Sequence, residues 1–366
     1  MANEPQRLSL ARLLVFAFLP LMIGWMALEC LAFAYFHLRS GFLKPRPQLM
    51  FMPHPYRVFE LAPDRIDQSG HASHNSKGLR NPDFAEIKPP GTVRIVCLGG
   101  STTYSIGATT DTHTYPAHLE RFLRQHYAQT SLTVEVINAG APTYSSLESL
   151  ILFQTRMLEY SPDVAILHNS LNDAWVATNF TTYSGDYSHA RHTFGPLGMR
   201  VWECSPLLSL LFARSTTPFN PHTPNPGVDL VAMIHYKWES EIVRGPKARE
   251  ERANESADVL ERNAVSFIAT ARGNGIIPVL ATETWRDTGG FNSRVVSLFN
   301  ERLRTVAARE RIPLIDFARE MPWNPRAFFD MCHLSDRPDG LERKGKIFAD
   351  ALIRAGVIEQ AAVKQQ

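Results

Sequence analysis

The 366-residue sequence predicts an α/β fold, a three-layer α/β/α sandwich with a five-stranded parallel sheet, plus an N-terminal transmembrane helix. Short apolar runs rich in β-branched residues alternate with segments of helical spacing, which is typical of parallel sheets covered by helices. An apolar stretch near the N-terminus has the length of a bilayer crossing. Hydrophobic residues make up 44% and charged residues 20% of the chain, the balance of a folded protein.

The charge and cysteine content excludes several kinds of protein. Basic residues number 38 and acidic residues 36, with no long basic run, so nucleic acid is not expected as a partner. The cysteines are scattered and form neither a disulfide framework nor a CxxC metal pair. They are Cys30, Cys97, Cys204 and Cys332.

Residues 13–36 are almost wholly apolar and are interrupted only by Glu29. About 20 such residues span a bilayer as a helix, which predicts a transmembrane anchor after a short tail at 1–12. The run is long for a cleaved signal peptide and no A-x-A-like site follows it. A buried core helix is the less favoured alternative. Basic residues flank both ends in near balance, so the positive-inside rule leaves the orientation open.

The rest of the chain divides by composition. Residues 37–91 are rich in Pro, His, Asn and Gly and are interpreted as an irregular lead-in or linker. A single α/β domain is expected at 92–358, with a C-terminal tail at 359–366. Residues 174–250 interrupt its alternation with aromatics and prolines. Such an insertion is either a lid that faces the substrate or a surface excursion without a special role.

Five strand-like runs alternate with helical segments in the expected domain. Ser145 and Glu148 form a capping box, and the Gly273-Asn274-Gly275 sequence ends a helix. The strands are expected at 93–98, 134–137, 164–167, 277–281 and 313–317. The helices are expected at 116–127, 145–160, 256–272, 293–309 and 341–355. Reactive groups of such sheets gather at the carboxyl ends of the strands.

Gly99-Gly100-Ser101 directly follows the first strand. A tight turn there exposes the serine hydroxyl and lets its N–H face a bound anion. A phosphate-binding turn is an alternative. However, no Gly-Lys-Ser/Thr sequence follows and no GxGxxG fingerprint is present. No cofactor is therefore expected.

Two further polar clusters follow the next two strands. Gly140 ends the second strand, where a glycine lets the backbone approach a ligand and offers an unobstructed N–H. An ordinary strand-to-helix turn is the alternative. Asn172, after the third strand, has a side-chain N–H suited to an oxyanion, whereas Asp173 suits a helix cap.

Asp330 and His333 form the fourth cluster, near the C-terminus. Histidine is the usual general base, because its pKa lies near neutrality. A carboxylate three residues earlier can fold back on the imidazole and fix its tautomer. A metal site is less favoured, because no third ligand is evident nearby. Glu283, after the fourth strand, fits a cap or a surface acid better than a pocket residue.

These clusters, in this order on the strand ends, resemble the sequence blocks of the SGNH/GDSL hydrolase superfamily over about residues 92–355. The blocks are a GDS or GGS serine, a glycine after the second strand, a GxND block and a DxxH block. The Gly-Gly-Ser-Thr-Thr sequence, with Asn75 to Arg80 before it, is similar to a membrane-anchored bacterial branch. The resemblance implies the SGNH, flavodoxin-like arrangement of the sheet.

The resemblance also implies roles for single residues. Ser101 would be the nucleophile, His333 the general base, and Asp330 the group that orients His333. The oxyanion hole would consist of the Ser101 and Gly140 N–H groups with the Asn172 side chain. Ser170 stands where the GxND block has glycine, so the position of Asn172 depends on the backbone angle at Ser170. No metal is implied.

The expected function is an acyl or acetyl esterase that works through an acyl-enzyme on a small-molecule, glycan or lipid ester. An O-acyltransferase that modifies envelope glycans with the same triad is the first alternative. A non-catalytic, membrane-tethered binding or assembly protein on the same scaffold is the second. The resemblance places the domain outside the cytoplasm on a single-pass anchor. The oligomeric state stays open.

Overall fold

The computed structural model describes residues 9–40, 50–67, 69–180, 182–190, 205, 207–208, 211 and 245–364. The chain divides into two compact units. One comprises residues 1–47 with 195–225, and the other comprises residues 48–194 with 226–366. Most of the expected insertion at 174–250 lies outside the described residues, so its role as a lid or a surface excursion stays a prediction.

The first unit contains helix α1, Leu10–Ser40. Its segment Val15–Tyr35 is long and apolar enough to cross a membrane, with a mean hydropathy of 1.9, although a signal sequence near an N-terminus has the same properties. Phe16, Leu21 and Leu31 are among its many exposed apolar side chains. Glu29, the one charge in this segment, accepts hydrogen bonds from Ser205 Oγ and, at 3.1 Å, from Leu207 N.

The second unit begins with two short antiparallel hairpins. Strands β1, Phe51–His54, and β2, Val58–Leu61, form the first. Strands β3, Arg65–Ile66, and β4, Ser73–His74, form the second. The buried Arg80 guanidinium that follows them donates to Asp111 and to the backbone carbonyls of His71, Tyr104, Ser105 and Ala108. This part of the lead-in is therefore tied to the segment that follows the first long strand.

The central sheet has five parallel strands in the order β6-β5-β7-β8-β9, which confirms the predicted sheet. The strands are β5 Thr92–Gly99, β6 Thr133–Gly140, β7 Val164–His168, β8 Ile277–Ala281 and β9 Leu314–Ile315. Every residue of β5, β7 and β8 is buried, as expected where helices cover both faces. Gly99 pairs in register with both Gly140 and His168, so these strands end at one edge.

Helices cover the two faces of the sheet and complete the predicted three-layer sandwich. Phe153, Phe267 and Phe299 belong to the apolar cluster on one face, and Tyr115 and Phe348 to the cluster on the other. The helices are α2 Ser101–Tyr104, α3 Tyr115–His126, α4 Ser146–Thr155, α5 Leu171–Thr178, α6 Pro246–Gly273, α7 Phe291–Glu310, α8 Phe317–Glu320, α9 Arg343–Arg354 and α10 Val357–Val363. Within the described ranges, short helical turns also lie at Asp111–His113, Met157–Tyr160, Ser188–Ala190 and Pro338–Glu342.

The element boundaries differ from the sequence expectations at a few places. The capping box of Ser145 and Glu148 is present and opens α4. Helix α6 begins at Pro246, well before the expected residue 256, because proline is favourable in the first turn of a helix. Helix α10 extends from the end of the expected domain into the expected C-terminal tail, and its residues Val357, Ile358 and Ala361 are buried.

Candidate active site

Ser101 is the first residue of α2, and only Gly100 separates it from the end of β5. A Cβ atom on Gly99 would collide with the Thr103 hydroxyl and with the His168 carbonyl, and one on Gly100 would collide with the Asn172 amide. The two glycines are therefore required by close approach. They let the chain turn sharply and leave the Ser101 side chain only half-buried at the edge of the sheet.

Asp330 and His333 lie on a loop that folds back on itself. Phe329 N donates to His333 O at 3.0 Å, and Phe328 bridges Leu334 across the loop. The Trp323 indole N–H donates to the Asp330 carbonyl at 2.8 Å. These bonds fix the backbone on either side of the two side chains, so the carboxylate and the imidazole face each other.

Ser101, His333 and Asp330 form a continuous hydrogen-bonded chain. Ser101 Oγ lies 2.7 Å from His333 Nε2, and His333 Nδ1 lies 2.6 Å from Asp330 Oδ2. The fold thus brings together two side chains that are 232 positions apart in the sequence. With the proton on Nδ1 donated to Asp330, Nε2 can accept the serine proton, which is the arrangement of an activated nucleophile.

Asp330 remains ionised at neutral pH. Burial raises the pKa of its carboxyl group, but the hydrogen bonds from the His333 ring and from the Cys332 and His333 N–H groups outweigh burial and lower it to about 2. The lowered pKa means that this carboxylate stabilises the fold at neutral pH, and that the contribution disappears as pH falls towards 2.

We expect Asp330→Asn to lower kcat for ester hydrolysis by about 10³- to 10⁴-fold with little change in KM, because an amide does not hold the imidazole in its productive tautomer. Steady-state kinetics on the full-length, detergent-solubilised protein measures this effect. The exposed Asp339→Asn is the matched control and should retain wild-type rates. Wild-type kcat in Asp330→Asn would contradict the role of this carboxylate.

The three expected oxyanion donors lie close to the serine turn but differ in their present bonding. Among the described residues, no acceptor is found for Ser101 N–H. Asn172 Nδ2 packs over Gly100 and donates one of its two hydrogens to Tyr144 O at 2.8 Å. Its second hydrogen can be donated to an oxyanion. Gly140 N–H donates to Asn138 Oδ1 at 3.1 Å, so it would have to exchange this bond for an oxyanion.

Ser170 does not displace Asn172. Its φ of −171° is extended backbone that any residue adopts, and α5 starts at the next residue. Asp173 has a larger structural role than a helix cap. It is fully buried and accepts hydrogen bonds from Ser146 and, at 2.7 Å, from Tyr187 Oη, while burial raises its pKa.

Thr143 is a notable residue that the sequence reasoning missed. It lies in a turn closed by Tyr144 N donating to Ala141 O at 3.1 Å, and its φ of +67° is in the left-handed region. A β-branched residue is strained there, and its buried Oγ1 has no hydrogen-bond partner among the described residues. Pro142 before it was the available signal, because proline followed by a positive φ is typical of a type II turn.

The interpretation of Glu283 as a cap or surface acid is wrong. The side chain is 3% exposed, and Oε1 accepts a hydrogen bond from Thr102 Oγ1 at 2.8 Å. Lys344, which the sequence reasoning passed over, is also buried and lies beside Thr102. The signal for Lys344 was its place on the apolar face of the last long helix.

Asp330, Cys332 and His333 offer three ligand atoms within 4.8 Å of one another. Cys332 thus supplies the third neighbour that was not evident from sequence. However, burial raises the pKa of its thiol, and the other two side chains already bond each other. A neutral thiol is a poor ligand, since metals bind the thiolate. The arrangement fits an acid–base pair better than a metal centre.

Comparisons with known structures give matches at low sequence identity. A GDSL-like lipase from Bacteroides thetaiotaomicron is 15% identical, with 76% of this chain and 93% of that chain covered and a TM-score of 0.39. An acetyl xylan esterase from Geobacillus stearothermophilus is 13% identical, with 74% and 96% covered and a TM-score of 0.41. No curated protein matches the chain.

The family model named GDSL-like Lipase/Acylhydrolase matches residues 97–337. The match contains the serine turn, the strand ends that carry Gly140 and Asn172, and the loop with Asp330 and His333. It spans more than half of the sequence. The chain therefore belongs to the GDSL-like lipase/acylhydrolase family.

Proposed function

We propose that the protein hydrolyses esters through a covalent acyl-enzyme on Ser101. The observation that carries this proposal is the chain of hydrogen bonds from Ser101 Oγ through the His333 ring to the Asp330 carboxylate. A serine hydroxyl needs such a base to become nucleophilic at neutral pH. The family assignment supports the hydrolase class.

The reaction proceeds in two steps. His333 Nε2 takes the Ser101 proton as Oγ bonds to the ester carbonyl carbon, and the imidazolium then returns the proton to the departing alcohol as the carbon–oxygen bond breaks. In the second step a water molecule gives its proton to His333 and attacks the acyl-enzyme. The Ser101–carbonyl bond breaks, Ser101 regains a proton, and the acid leaves.

Backbone and amide donors stabilise the oxyanion that forms in each step. Ser101 N–H and the second Asn172 Nδ2 hydrogen are available, while Gly140 N–H joins only if it releases Asn138. Each such donor accounts for about 3–4 kcal/mol of barrier lowering in serine hydrolases.

We propose that the acyl group is short, with acetyl the best fit. The cavity beside the nucleophile has a volume of about 10 Å³, space for about one water molecule and far less than the roughly 300 Å³ at which pockets for drug-sized ligands begin. Ile106, Leu334 and Leu341 form its apolar wall next to Ser101 and His333. A long acyl chain would have to displace these side chains.

A series of p-nitrophenyl esters tests the acyl preference. We expect kcat/KM to fall by at least about tenfold from acetate to octanoate, since burying a few methylenes without space costs more than 1 kcal/mol. Ile106→Ala should narrow this difference, whereas Ile87→Ala, at a side chain that is 88% exposed and absent from the cavity wall, should not. Faster turnover of octanoate than of acetate by the wild type would contradict the proposal.

We further propose that α1 anchors the enzyme in a membrane as a single span, with the catalytic domain outside the cytoplasm. The apolar side chains exposed along Val15–Tyr35 support the anchor, since lipid would cover them. Labelling of the protein by a membrane-impermeant fluorophosphonate in whole cells tests the location. Labelling only after lysis would contradict it.

A further inference from the structure

A buried group of charged side chains lies directly beneath the serine turn. Glu283 follows the end of β8, His168 is the last residue of β7, and Lys344 is in the first turn of α9. All three are at most 3% exposed. Glu283 Oε2 lies 3.1 Å from His168 Nε2, within ion-pair distance, although the N–H direction does not suit a hydrogen bond.

This group holds Thr102, the residue next to the nucleophile, at two points. Thr102 Oγ1 donates to Glu283 Oε1 at 2.8 Å, and Lys344 Nζ donates to the Thr102 carbonyl at 3.1 Å. Both the side chain and the backbone of this residue are therefore bonded to buried charges. Because Thr102 is covalently joined to Ser101, a shift at Thr102 moves the nucleophile.

The following residue is held from the same side. Thr103 Oγ1 lies 3.3 Å from His168 Nδ1 and 3.4 Å from Tyr115 Oη. The Lys344 ammonium in turn lies over the Tyr115 ring, 4.3 Å from its centroid, and over the Phe317 ring at 5.0 Å. Thr102 and Thr103, which follow Ser101, thus connect the serine turn to the buried charged group.

Two of the titratable groups here are charged. Burial raises the pKa of Glu283, but His168, Lys344 and Thr102 outweigh it, so the pKa is lowered and the group is a carboxylate. Burial lowers the pKa of Lys344 to about 8, against the attraction of Glu283. Burial also lowers the pKa of His168, against the attraction of Glu283. Burial raises the pKa of the remaining groups that face Lys344, which are the thiols Cys97 and Cys332 and the phenol Tyr115.

Burying opposite charges is an unfavourable way to stabilise a core, because desolvation offsets their attraction and apolar residues serve as well. Buried charges do give a defined geometry to the groups that they bond. Here Glu283 and Lys344 both bond the same threonine beside the nucleophile, and neither bonds the Ser101 hydroxyl or the His333 ring.

We propose that Glu283 and Lys344 are positioning residues that hold the serine turn in its reactive geometry through Thr102. The inference rests on the proposed role of Ser101 as nucleophile and adds the groups that place it. Neither residue takes part in the proton transfers. Their effect is exerted on the position of Ser101 Oγ relative to His333 Nε2.

The variants Thr102→Val and Thr102→Ser distinguish the effect of the Thr102 hydrogen bond from the effect of its side-chain volume. Valine keeps the shape and removes the hydroxyl, whereas serine keeps the donor to Glu283. We expect Thr102→Val to lower both kcat and the rate of fluorophosphonate labelling at Ser101 by about 10- to 100-fold, since a misplacement on the order of 1 Å costs about 100-fold. Thr102→Ser should restore most of the rate. KM should change little in either variant of the full-length protein.

The pH profile of labelling gives a second readout that a purely structural role would not move. The wild-type labelling rate should fall above about pH 8, as Lys344 loses its proton and its hydrogen bond to the Thr102 carbonyl weakens. In Glu283→Gln the attraction that raises the pKa of Lys344 is gone, so this alkaline decline should move to lower pH. In Thr102→Val the decline should stay where it is.

The outcomes are distinguishable. If the wild type is not labelled at Ser101, the proposed function fails and this inference fails with it. If the wild type is labelled and Thr102→Val reacts at the same rate, the inference alone is overturned. Equal losses in Thr102→Val and Thr102→Ser, or an alkaline decline that Glu283→Gln leaves unmoved, would also overturn it. A lower labelling rate in Thr102→Val, a rate close to that of the wild type in Thr102→Ser, and an alkaline decline that moves to lower pH in Glu283→Gln support it.

Discussion

Ser101→Ala is expected to lower kcat for p-nitrophenyl acetate by about 10⁴- to 10⁶-fold, the range seen when a serine hydrolase loses its nucleophile. The hydroxyl lies 2.7 Å from His333 Nε2, so its removal deletes the atom that would bond to the substrate. The residual rate should reflect binding and the oxyanion donors alone. Fold stability should change little, because the side chain is half-buried and small.

Ser149→Ala is the matched control for this change. Ser149 is fully buried in α4, and its hydroxyl has no hydrogen-bond partner among the described residues. Removal of the oxygen should therefore leave both the rate and the free energy of unfolding close to the wild-type values. Equal rates in Ser101→Ala and the wild type, measured with protein free of contaminating esterase, would contradict the assignment of the nucleophile.

His333→Ala is expected to have a similar effect, a loss of about 10⁴- to 10⁶-fold in kcat, because nucleophile and base act as one unit. The ring bonds Ser101 on one side and Asp330 on the other, so its removal interrupts the chain in the middle. Exogenous imidazole should restore part of the rate, since the deletion leaves a space between two intact partners. Initial rates with increasing imidazole measure this rescue.

The exposed His126→Ala, on α3, controls for the loss of a histidine and should behave as the wild type. Ser101→Ala should not respond to imidazole, because the added base has no nucleophile to activate. A His333→Ala enzyme with more than about a tenth of wild-type kcat would contradict a general base at this position, since such a base typically contributes at least about 100-fold.

The parts of the fold that follow from local patterns were predictable. The apolar, β-branched runs that form β5, β7 and β8 are buried on both faces of the sheet. Continuous apolar runs of this length are typical of strands in a parallel sheet. The Ser145 and Glu148 capping box was readable because both partners lie within one turn. Ser101 was predictable because it follows a strand whose carboxyl end lies at the reactive edge of a parallel sheet. His333 was predictable because Asp330 lies three residues before it, in a block that resembles the SGNH/GDSL superfamily.

The contacts between distant side chains could not be predicted in the same way. Glu283 has the sequence context of a strand end, and nothing local shows that Thr102 and His168 lie against it. The spacing of Lys344 places it on the apolar face of α9, but nothing local shows that the rings of Tyr115 and Phe317 lie against it. Burial of a charge depends on its partners, and these partners come from other elements of the chain.

The start of α6 was difficult to predict for a different reason. Pro246 begins α6 in a segment whose first turns are largely exposed and charged, so the apolar periodicity appears only further along the helix. The turn at Thr143 would have been expected to carry glycine, because a positive φ is costly for a β-branched side chain.

Covalent labelling of the nucleophile tests the central claim most directly. After reaction of the full-length protein with a fluorophosphonate, peptide mass spectrometry should place one adduct on Ser101, and the adduct should be absent in Ser101→Ala and form much more slowly in His333→Ala. Modification of another residue at the wild-type rate, with Ser101 unmodified, would show that the hydroxyl bonded to the His333 ring is not the nucleophile.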